Sequence, residues 1–359
     1  MAGIIFSTAL LALTVLSYGF IDPHVSRELP YIAYSHRPLA AITFFVVLML
    51  LFSLYLYFLK HPPRVWIIIV SACILIFSYP AFTYDLFNYM TTAKVAYTYR
   101  ENPYLVMPVE IPNEPNLAFT RAANKVALYG PVWLAITAIP HYAGGGNVWR
   151  TIFAFKLMNA AVYLGFCYFI QRMTRNLTNV VFFALNPLVL IEVIMNGHND
   201  IYMMFLALGA LVLWQKKEYK NKIIAAALLF ASWWVKGATL ILGPLLLLKN
   251  ISWDRLLLTA YCLLSLVFFV VAPMREELYP WYAVWLVSAA ALLPFTSHRF
   301  IYWFTIVLSF ALELRNIPYM WMGYYEGPGP VLRFAVTVVP VGIFLGLFLW
   351  KKTKRLLFY

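Results

Sequence analysis

The chain has 359 residues, of which 63% are hydrophobic and only 11% are charged, and its mean hydropathy is +0.77. This composition excludes an ordinary soluble domain and predicts an all-α protein that crosses a membrane many times. The net charge of +13 would by itself suit a nucleic-acid-binding protein, so the positions of the charges decide how it is interpreted.

Apolar runs close in length to one bilayer crossing recur along the chain and predict about twelve transmembrane helices. The first run has no basic segment before it and no small-residue cleavage site after it, so we expect a retained helix rather than a signal peptide. No polar block is long enough to fold outside the membrane, and residues 1–359 are expected to form a single integral-membrane domain. The runs cover residues 3–21, 39–59, 66–82, 148–170, 177–195, 200–215, 222–235, 237–248, 255–273, 280–295, 300–314 and 331–350.

The charges follow the loops that these runs define. If the N-terminus is cytoplasmic, the inner loops contain fifteen basic and two acidic residues, whereas the remaining twelve basic and twelve acidic residues cancel. The positive-inside rule therefore accounts for the whole net charge without a nucleic-acid partner. It predicts that both termini are cytoplasmic and that the longest polar stretch, residues 83–147, is an outer loop.

The outer loop has three parts with different patterns. The segment "DLFNYMTTAKVAYTYR" has apolar and aromatic residues at helical intervals and predicts an interfacial amphipathic helix. The prolines of "ENPYLVMPVEIPNEP" predict an extended loop after it. The run "GPVWLAITAIPHYAGGG" is apolar but short, and we expect a re-entrant or interfacial helix.

An acidic residue, Asp85, lies where the third predicted helix reaches the outer surface. A carboxylate in a partly apolar pocket can accept the proton of a substrate hydroxyl as that oxygen attacks, which is general-base catalysis. The alternative is a structural role as a helix cap or interfacial residue. Both interpretations remain open from the residues alone.

Other polar residues interrupt apolar runs on the same side. Glu192 precedes "MNGHND", in which His198 could donate to a phosphate oxygen, whereas Asn199 and Asp200 could cap the next helix. Lys236 lies in "WWVKGAT", between two short predicted helices, and is either a phosphate ligand or a lysine that extends to the interface. Further cationic candidates are Lys94, Arg150, Lys156 and Arg315.

Several catalytic motifs are missing from the sequence. It contains no Walker loop, glycine-rich dinucleotide turn, HExxH, GxSxG or DxD carboxylate pair, so neither a metal nor a cofactor is predicted. A nucleotide sugar is not the expected donor for an outer site. A lipid-linked phosphate sugar is already present on that side of the membrane and is the expected donor.

Six motifs occur in an order and spacing that resemble polyprenol-phosphate-mannose-dependent mannosyltransferases of the C superfamily of membrane glycosyltransferases. They are "SYPAFTYDLFNY", "NPYLVMP", "YGPVW", "NPLVLIEVIMNGHND", "VKGATLILGPLLLL" and "PWYAVWLV", and they span roughly residues 79–290. The two helices that precede the one leading into the acidic loop are similar to the α-1,6-mannosyltransferase branch, whereas the glycine after Lys236 departs from many relatives. The resemblance implies that Asp85 is the base and that His198 and Lys236 line the donor side.

We therefore expect an inverting glycosyltransferase that transfers a hexose, most simply mannose, from a polyprenyl phosphate to a glycan or glycolipid outside the membrane. Lys94 and Arg315 are further candidates for binding the donor phosphate. The residues expected to contact donor or acceptor sugars are Tyr89, Asn102, Tyr104, Tyr129, Asn199 and Asp200.

Two other classes of function remain as alternatives. A transporter or flippase of a lipid-linked sugar would also use broken helices and charges near the membrane. Against this, the polar features lie on one face and no inverted repeat is visible, whereas alternating access requires a site that both faces can reach. A non-catalytic assembly subunit would not explain the concentration of His, Asp, Asn and Lys on the outer side.

Overall fold

The computed structural model describes residues 1–22, 24–26, 32–248, 251–275, 277–324 and 326–357, and within these ranges it contains helices and no strands. We label the longer helices α1 to α14. They are α1 Ala2–Tyr18, α2 Arg37–Lys60, α3 Trp66–Ile76, α4 Asp85–Tyr97, α5 Pro131–Gly144, α6 Val148–Thr174, α7 Leu177–Ala184, α8 Pro187–Met195, α9 Asp200–Trp214, α10 Tyr219–Val235, α11 Trp253–Met274, α12 Ala283–Ala290, α13 Arg299–Met322 and α14 Gly329–Leu357.

Five helices in the described ranges are long and apolar enough to cross a membrane, namely α2, α6, α11, α13 and most of α14. A sixth span results if the bent pair α7 and α8 is counted as one. All twelve predicted runs contain helical residues, but several form helices too short for the expected count of about twelve crossings to be confirmed. For example, the 11 residues of α3 extend only about 17 Å, roughly half of the thickness of a hydrocarbon core.

The centre of the molecule consists of α7, α8, α9 and α12. All residues of α8 and α12 are buried, and so are most residues of α7 and α9. A bend of 52° separates α7 from α8. It occurs where Pro187, which lacks an N–H, follows Asn186, whose side chain accepts from the backbone N–H of Leu188 at 3.0 Å. By contrast, few residues of Gly329–Lys351 in α14 are buried, as expected of a lipid-facing helix.

The predicted outer loop contains the helices that its patterns indicate. The amphipathic segment forms α4, although most of its side chains are buried against neighbouring elements. The proline-rich stretch includes two short 3₁₀ helices, Pro108–Glu110 and Pro115–Phe119. The short apolar run forms α5, which packs between α4 and α6.

The junction at Lys236 also matches its pattern. Helix α10 ends at Val235, Lys236 has an extended backbone, and a 3₁₀ helix, Gly237–Leu247, follows. This break places the lysine side chain beside the first turn of α9 rather than along a helix surface.

Candidate active site

A cavity of about 1220 Å³ lies where the predicted outer segments converge. The start of α4, the chain before α5, the junction after α10, the segment before α12 and the ends of α13 and α14 all contribute to its wall. Of the residues singled out from the sequence, those that line it are Asp85, Tyr129, Glu192, Lys236 and Arg315.

Asp85 is the first residue of α4, and its side chain is 18% exposed toward the cavity. The hydroxyl of Tyr129 donates to Asp85 Oδ2 at 2.8 Å, and the hydroxyl of Thr83 accepts from the Asp85 backbone N–H at 3.1 Å. Tyr84 occupies the cap position of α4, and its side chain makes no capping hydrogen bond. The carboxylate of Asp85 therefore makes tertiary contacts instead of capping its own helix.

His198 lies directly behind Asp85 and is fully buried. Its Nδ1 is 3.3 Å from Asp85 Oδ2, and its Nε2 is 3.2 Å from Glu192 Oε2. The ring stacks on Trp281 with centroids 4.1 Å apart, and Trp281 rather than His198 faces the cavity. This placement differs from the predicted contact with a phosphate, because both ring nitrogens already face carboxylates.

The backbone before His198 explains how it reaches Asp85. Residues Leu190–Met195 form a π-helix, and the His198 N–H donates to the Glu192 carbonyl at 3.0 Å. Gly197 then has a φ of +84°, and a Cβ at this position would lie 2.5 Å from Cδ1 of Leu86 on α4. A glycine is needed here for both the left-handed turn and the close approach to α4.

The charges of this group depend on one another. Burial acts to raise the pKa of Asp85, but contact with His198 and the nearby charge of Lys236 outweigh it, and the pKa is lowered. Burial acts to lower the pKa of His198, yet the carboxylates of Asp85 and Glu192 outweigh it and raise this pKa to about 9. At neutral pH, Asp85 is therefore a carboxylate and His198 an imidazolium.

Lys236 reaches the cavity from the opposite side and pairs with Asp200, a buried residue in the first turn of α9. The lysine Nζ is 2.9 and 3.1 Å from the two carboxylate oxygens of Asp200. It also lies 4.7 Å from the ring centroid of Tyr282 and 5.8 Å from that of Trp285. Aromatic rings and a carboxylate hold the ammonium group in place at the cavity wall.

Arg315 lines the cavity near the end of α13. Its Nη2 is 3.5 Å from Glu277 Oε1, and its Nη1 donates to the hydroxyl of Thr337 at 3.1 Å. Arg333 at the start of α14 also contacts Glu277. The carboxylate of Glu277 therefore joins two arginines at one end of the cavity.

Other predicted residues lie outside the cavity lining. Lys94 pairs with the buried Glu114 at 2.6 Å, and its predicted contact with a donor phosphate is not supported by this position. Asn102 accepts from the backbone N–H of Tyr104 at 3.0 Å, and Tyr104 donates to the carbonyl of Tyr129 at 2.9 Å. Asn102 and Tyr104 thus stabilise the loop that positions Tyr129.

Tyr89 and Asn199 are buried near Asp85 without lining the cavity. The Tyr89 ring packs edge-on against Tyr129, with centroids 4.9 Å apart. Asn199 holds the cap position of α9, as its alternative interpretation suggested, but its side chain makes no capping hydrogen bond. Lys156, a weaker candidate, is buried and donates to the carbonyl of Met195 at 2.6 Å, which supports the end of the π-helix.

Sequence reasoning did not identify several residues of this site. Arg121 lines the cavity with its guanidinium 4.6 Å from the ring centroid of Tyr84, and Trp281, Tyr282 and Trp285 supply aromatic walls. The motif "PWYAVWLV" contains these three aromatic residues, but their number in the whole chain conceals them. In the part of the chain that is described, no group of three or more His, Cys, Asp or Glu is arranged to bind a metal.

An apolar groove extends from the charged part of the cavity between the 3₁₀ helix Gly237–Leu247 and α11. Leu240 and Val271 are about half exposed, so the groove opens at the perimeter of the helix bundle. Its lining residues are Ala238, Leu240, Ile241, Pro244, Val267 and Val271.

Residues 1–252 match the family described as alpha-(1->6)-mannopyranosyltransferase, N-terminal domain. The chain belongs to this family. It is therefore a glycosyltransferase of the mannosyl-transferring type, and the resemblance of its motifs to the α-1,6-mannosyltransferase branch is confirmed. No curated protein and no solved structure matches the chain.

Proposed function

We propose that this family member is an inverting mannosyltransferase that uses a polyprenyl monophosphate sugar as donor and a glycan or glycolipid at the outer face of the membrane as acceptor. The observation that carries the proposal is one cavity in which the ionised Asp85 faces cationic side chains and from which an apolar groove leads to the outer surface of the bundle. A base, a phosphate site and a lipid site are what this reaction requires.

The acceptor is activated by Asp85. Tyr129 and His198 both face Oδ2, whereas Oδ1 has no hydrogen bond or ion pair within the described residues. Oδ1 can therefore take the proton of the acceptor hydroxyl as its oxygen attacks the anomeric carbon. The bond from that carbon to the donor phosphate oxygen breaks in the same step, the phosphate leaves with the electron pair, and the configuration inverts.

Lys236 and Arg315 are the cavity-lining cations that we assign to the donor phosphate. In comparable sites, one well-placed donor stabilises the charge that develops on the departing group by about 3 kcal/mol in the transition state. Tyr282 and Trp285 hold the Lys236 ammonium group toward the cavity. His198 is shielded by Trp281, so its role is to hold Asp85 rather than to contact the phosphate.

The apolar groove suits the first isoprene units of a polyprenyl chain. Burying an apolar chain there removes hydrocarbon from the interfacial region while the phosphate remains at the cationic wall. A nucleotide donor would leave this groove empty. Membership of a transferase family also favours transfer over the transporter and assembly hypotheses.

The test is a transfer assay with the purified protein in nanodiscs. We expect turnover with polyprenyl-phosphate mannose, none with GDP-mannose, and product of inverted configuration by NMR of the anomeric proton. We also expect activity to survive chelation, because the sequence contains no DxD pair. Turnover of GDP-mannose in a preparation free of lipid-linked sugar would refute the donor, and transbilayer movement of the donor without transfer would favour a flippase.

A further inference from the structure

Two acidic residues face the same imidazole from opposite sides. His198 Nδ1 is 3.3 Å from Asp85 Oδ2 and Nε2 is 3.2 Å from Glu192 Oε2, while Asp85 Oδ1 has no hydrogen bond or ion pair within the described residues. Glu192 is 1% exposed and receives a hydrogen bond from the Asn196 side-chain amide at 3.0 Å. His198, which does not line the cavity, thus joins two carboxylates that both contribute to its wall.

We infer that Glu192 is a positioning residue for the transfer reaction: its carboxylate keeps His198 doubly protonated, and the imidazolium in turn holds Asp85 ionised and oriented with Oδ1 toward the acceptor. The inference rests on the proposed function of Asp85 as base. Glu192 thus acts through His198 and does not contact the substrate.

A merely structural polar cluster would not need this arrangement. A neutral imidazole has one donor and one acceptor nitrogen, and it could not donate toward two carboxylates at once. Both nitrogens face carboxylate oxygens here, so the doubly protonated form is the one that the geometry suits. The stacked Trp281 ring covers one face of the imidazole and adds a favourable contact for its positive charge.

The surrounding elements supply few other charges. Lys236 acts on Asp85 from the cavity side, and Glu313 on α13 interacts with Glu192 from the interior side. Within the described residues, the ion-pair partners of His198 are these two acidic side chains, one on each side of the ring. Its pKa of about 9 follows from these carboxylates, which outweigh the effect of burial.

The sign of the pH dependence follows from this. Because the pKa of His198 in the folded protein is raised, its positive charge is present at neutral pH and is lost as the pH rises through about 9. Transfer by the unaltered protein should therefore fall above about pH 9. Without the Glu192 carboxylate the imidazolium loses one partner, so this decline should begin at lower pH.

The experiment compares pH–rate profiles at saturating donor and acceptor for the unaltered protein and Glu192→Gln. Glu192→Gln should begin to lose activity at a lower pH than the unaltered protein. Between these two pH values, the rate of the unaltered protein divided by that of Glu192→Gln should increase about tenfold per pH unit. Glu114→Gln is the matched control, because Glu114 is also a buried carboxylate with a cationic partner but does not line the cavity. It should leave the position of the alkaline limb unchanged.

His198→Gln provides a second variant in case Glu192→Gln does not fold. Gln keeps an amide donor toward Asp85 but cannot titrate, so transfer should be reduced and the alkaline limb should disappear. Binding of polyprenyl monophosphate to this variant should be unchanged. An unshifted alkaline limb in folded Glu192→Gln, or weakened phosphate binding with an unchanged limb in His198→Gln, overturns the inference.

Failure of this inference can be told from failure of the proposed function. If Asp85→Asn retains full transfer activity, the assignment of the base is wrong. If Asp85→Asn is inactive while Glu192→Gln has the limb of the unaltered protein, the base assignment stands and only the role of Glu192 is wrong.

Discussion

The hydroxyl of Tyr129 donates a 2.8 Å hydrogen bond to Asp85 Oδ2 and so joins the chain just before α5 to the first residue of α4. This contact, together with His198, orients the carboxylate and leaves its second oxygen facing the cavity. The proposed base is thus held by side chains that follow it at long intervals in the sequence.

Replacing Asp85 tests the base directly. Asp85→Asn preserves the shape of the side chain and removes the proton acceptor, so transfer should fall by about 10²-fold to 10⁴-fold. Binding of polyprenyl monophosphate and the melting temperature should change little. If instead expression or thermal stability collapses while specific activity stays near normal, Asp85 has a structural role.

Removing the Tyr129 hydroxyl should weaken catalysis without abolishing it. A hydrogen bond to a charged group contributes about 1.5–3 kcal/mol, so Tyr129→Phe should lower kcat by roughly tenfold to a hundredfold. The lost bond also raises the pKa of Asp85, which moves the acid limb of the pH–rate profile to higher pH. Tyr97→Phe, which removes a hydroxyl bonded to the carbonyl of Leu134, is the control and should show neither effect.

The Lys236–Asp200 pair separates stability from donor binding. Lys236→Met leaves the buried Asp200 carboxylate without its cation, and breaking such a pair costs about 3–5 kcal/mol, less here because Lys236 is partly exposed. Combining it with Asp200→Asn should restore much of the melting temperature. Donor binding should stay weak in the double variant, and full recovery of binding would remove Lys236 from the phosphate site.

Gly197 is a backbone requirement of the site. Gly197→Ala places a Cβ 2.5 Å from Leu86 at a φ of +84° and should destabilise the protein by roughly 1–3 kcal/mol while it displaces His198. Gly209→Ala in α9 is the matched control, because a Cβ there meets nothing within 4 Å. Thermal unfolding and transfer assays should both distinguish the two variants, and equal behaviour would contradict the assigned strain.

The sidedness of the cavity is tested by cysteine labelling. The intrinsic Cys73 and Cys262 are exposed and must be replaced first, whereas Cys167 is buried. We expect a cysteine at Val109 to react with a membrane-impermeant maleimide from outside intact cells and one at Lys217 only after permeabilisation. The reverse pattern would place the cavity on the cytoplasmic face.

Some features of this protein follow from the sequence alone. Hydropathy is a property of each segment, and so the all-helical membrane class and the positions of the apolar runs could be predicted without knowledge of any contact. The helix in residues 83–147 and the break at Lys236 were also predictable, because amphipathic spacing and short apolar runs act locally. The ordered motifs were sufficient to indicate the family.

The tertiary structure alone decided which polar groups meet. The sequence marks His198, Lys94 and Glu192 as polar residues in apolar surroundings, but it cannot show that His198 faces two carboxylates or that Lys94 is engaged by Glu114. The same holds for the number of complete membrane spans, which depends on where each helix bends or ends against its neighbours. Such pairings join residues far apart in the chain, and they are set by helix packing and by the cost of burying a charge without a partner.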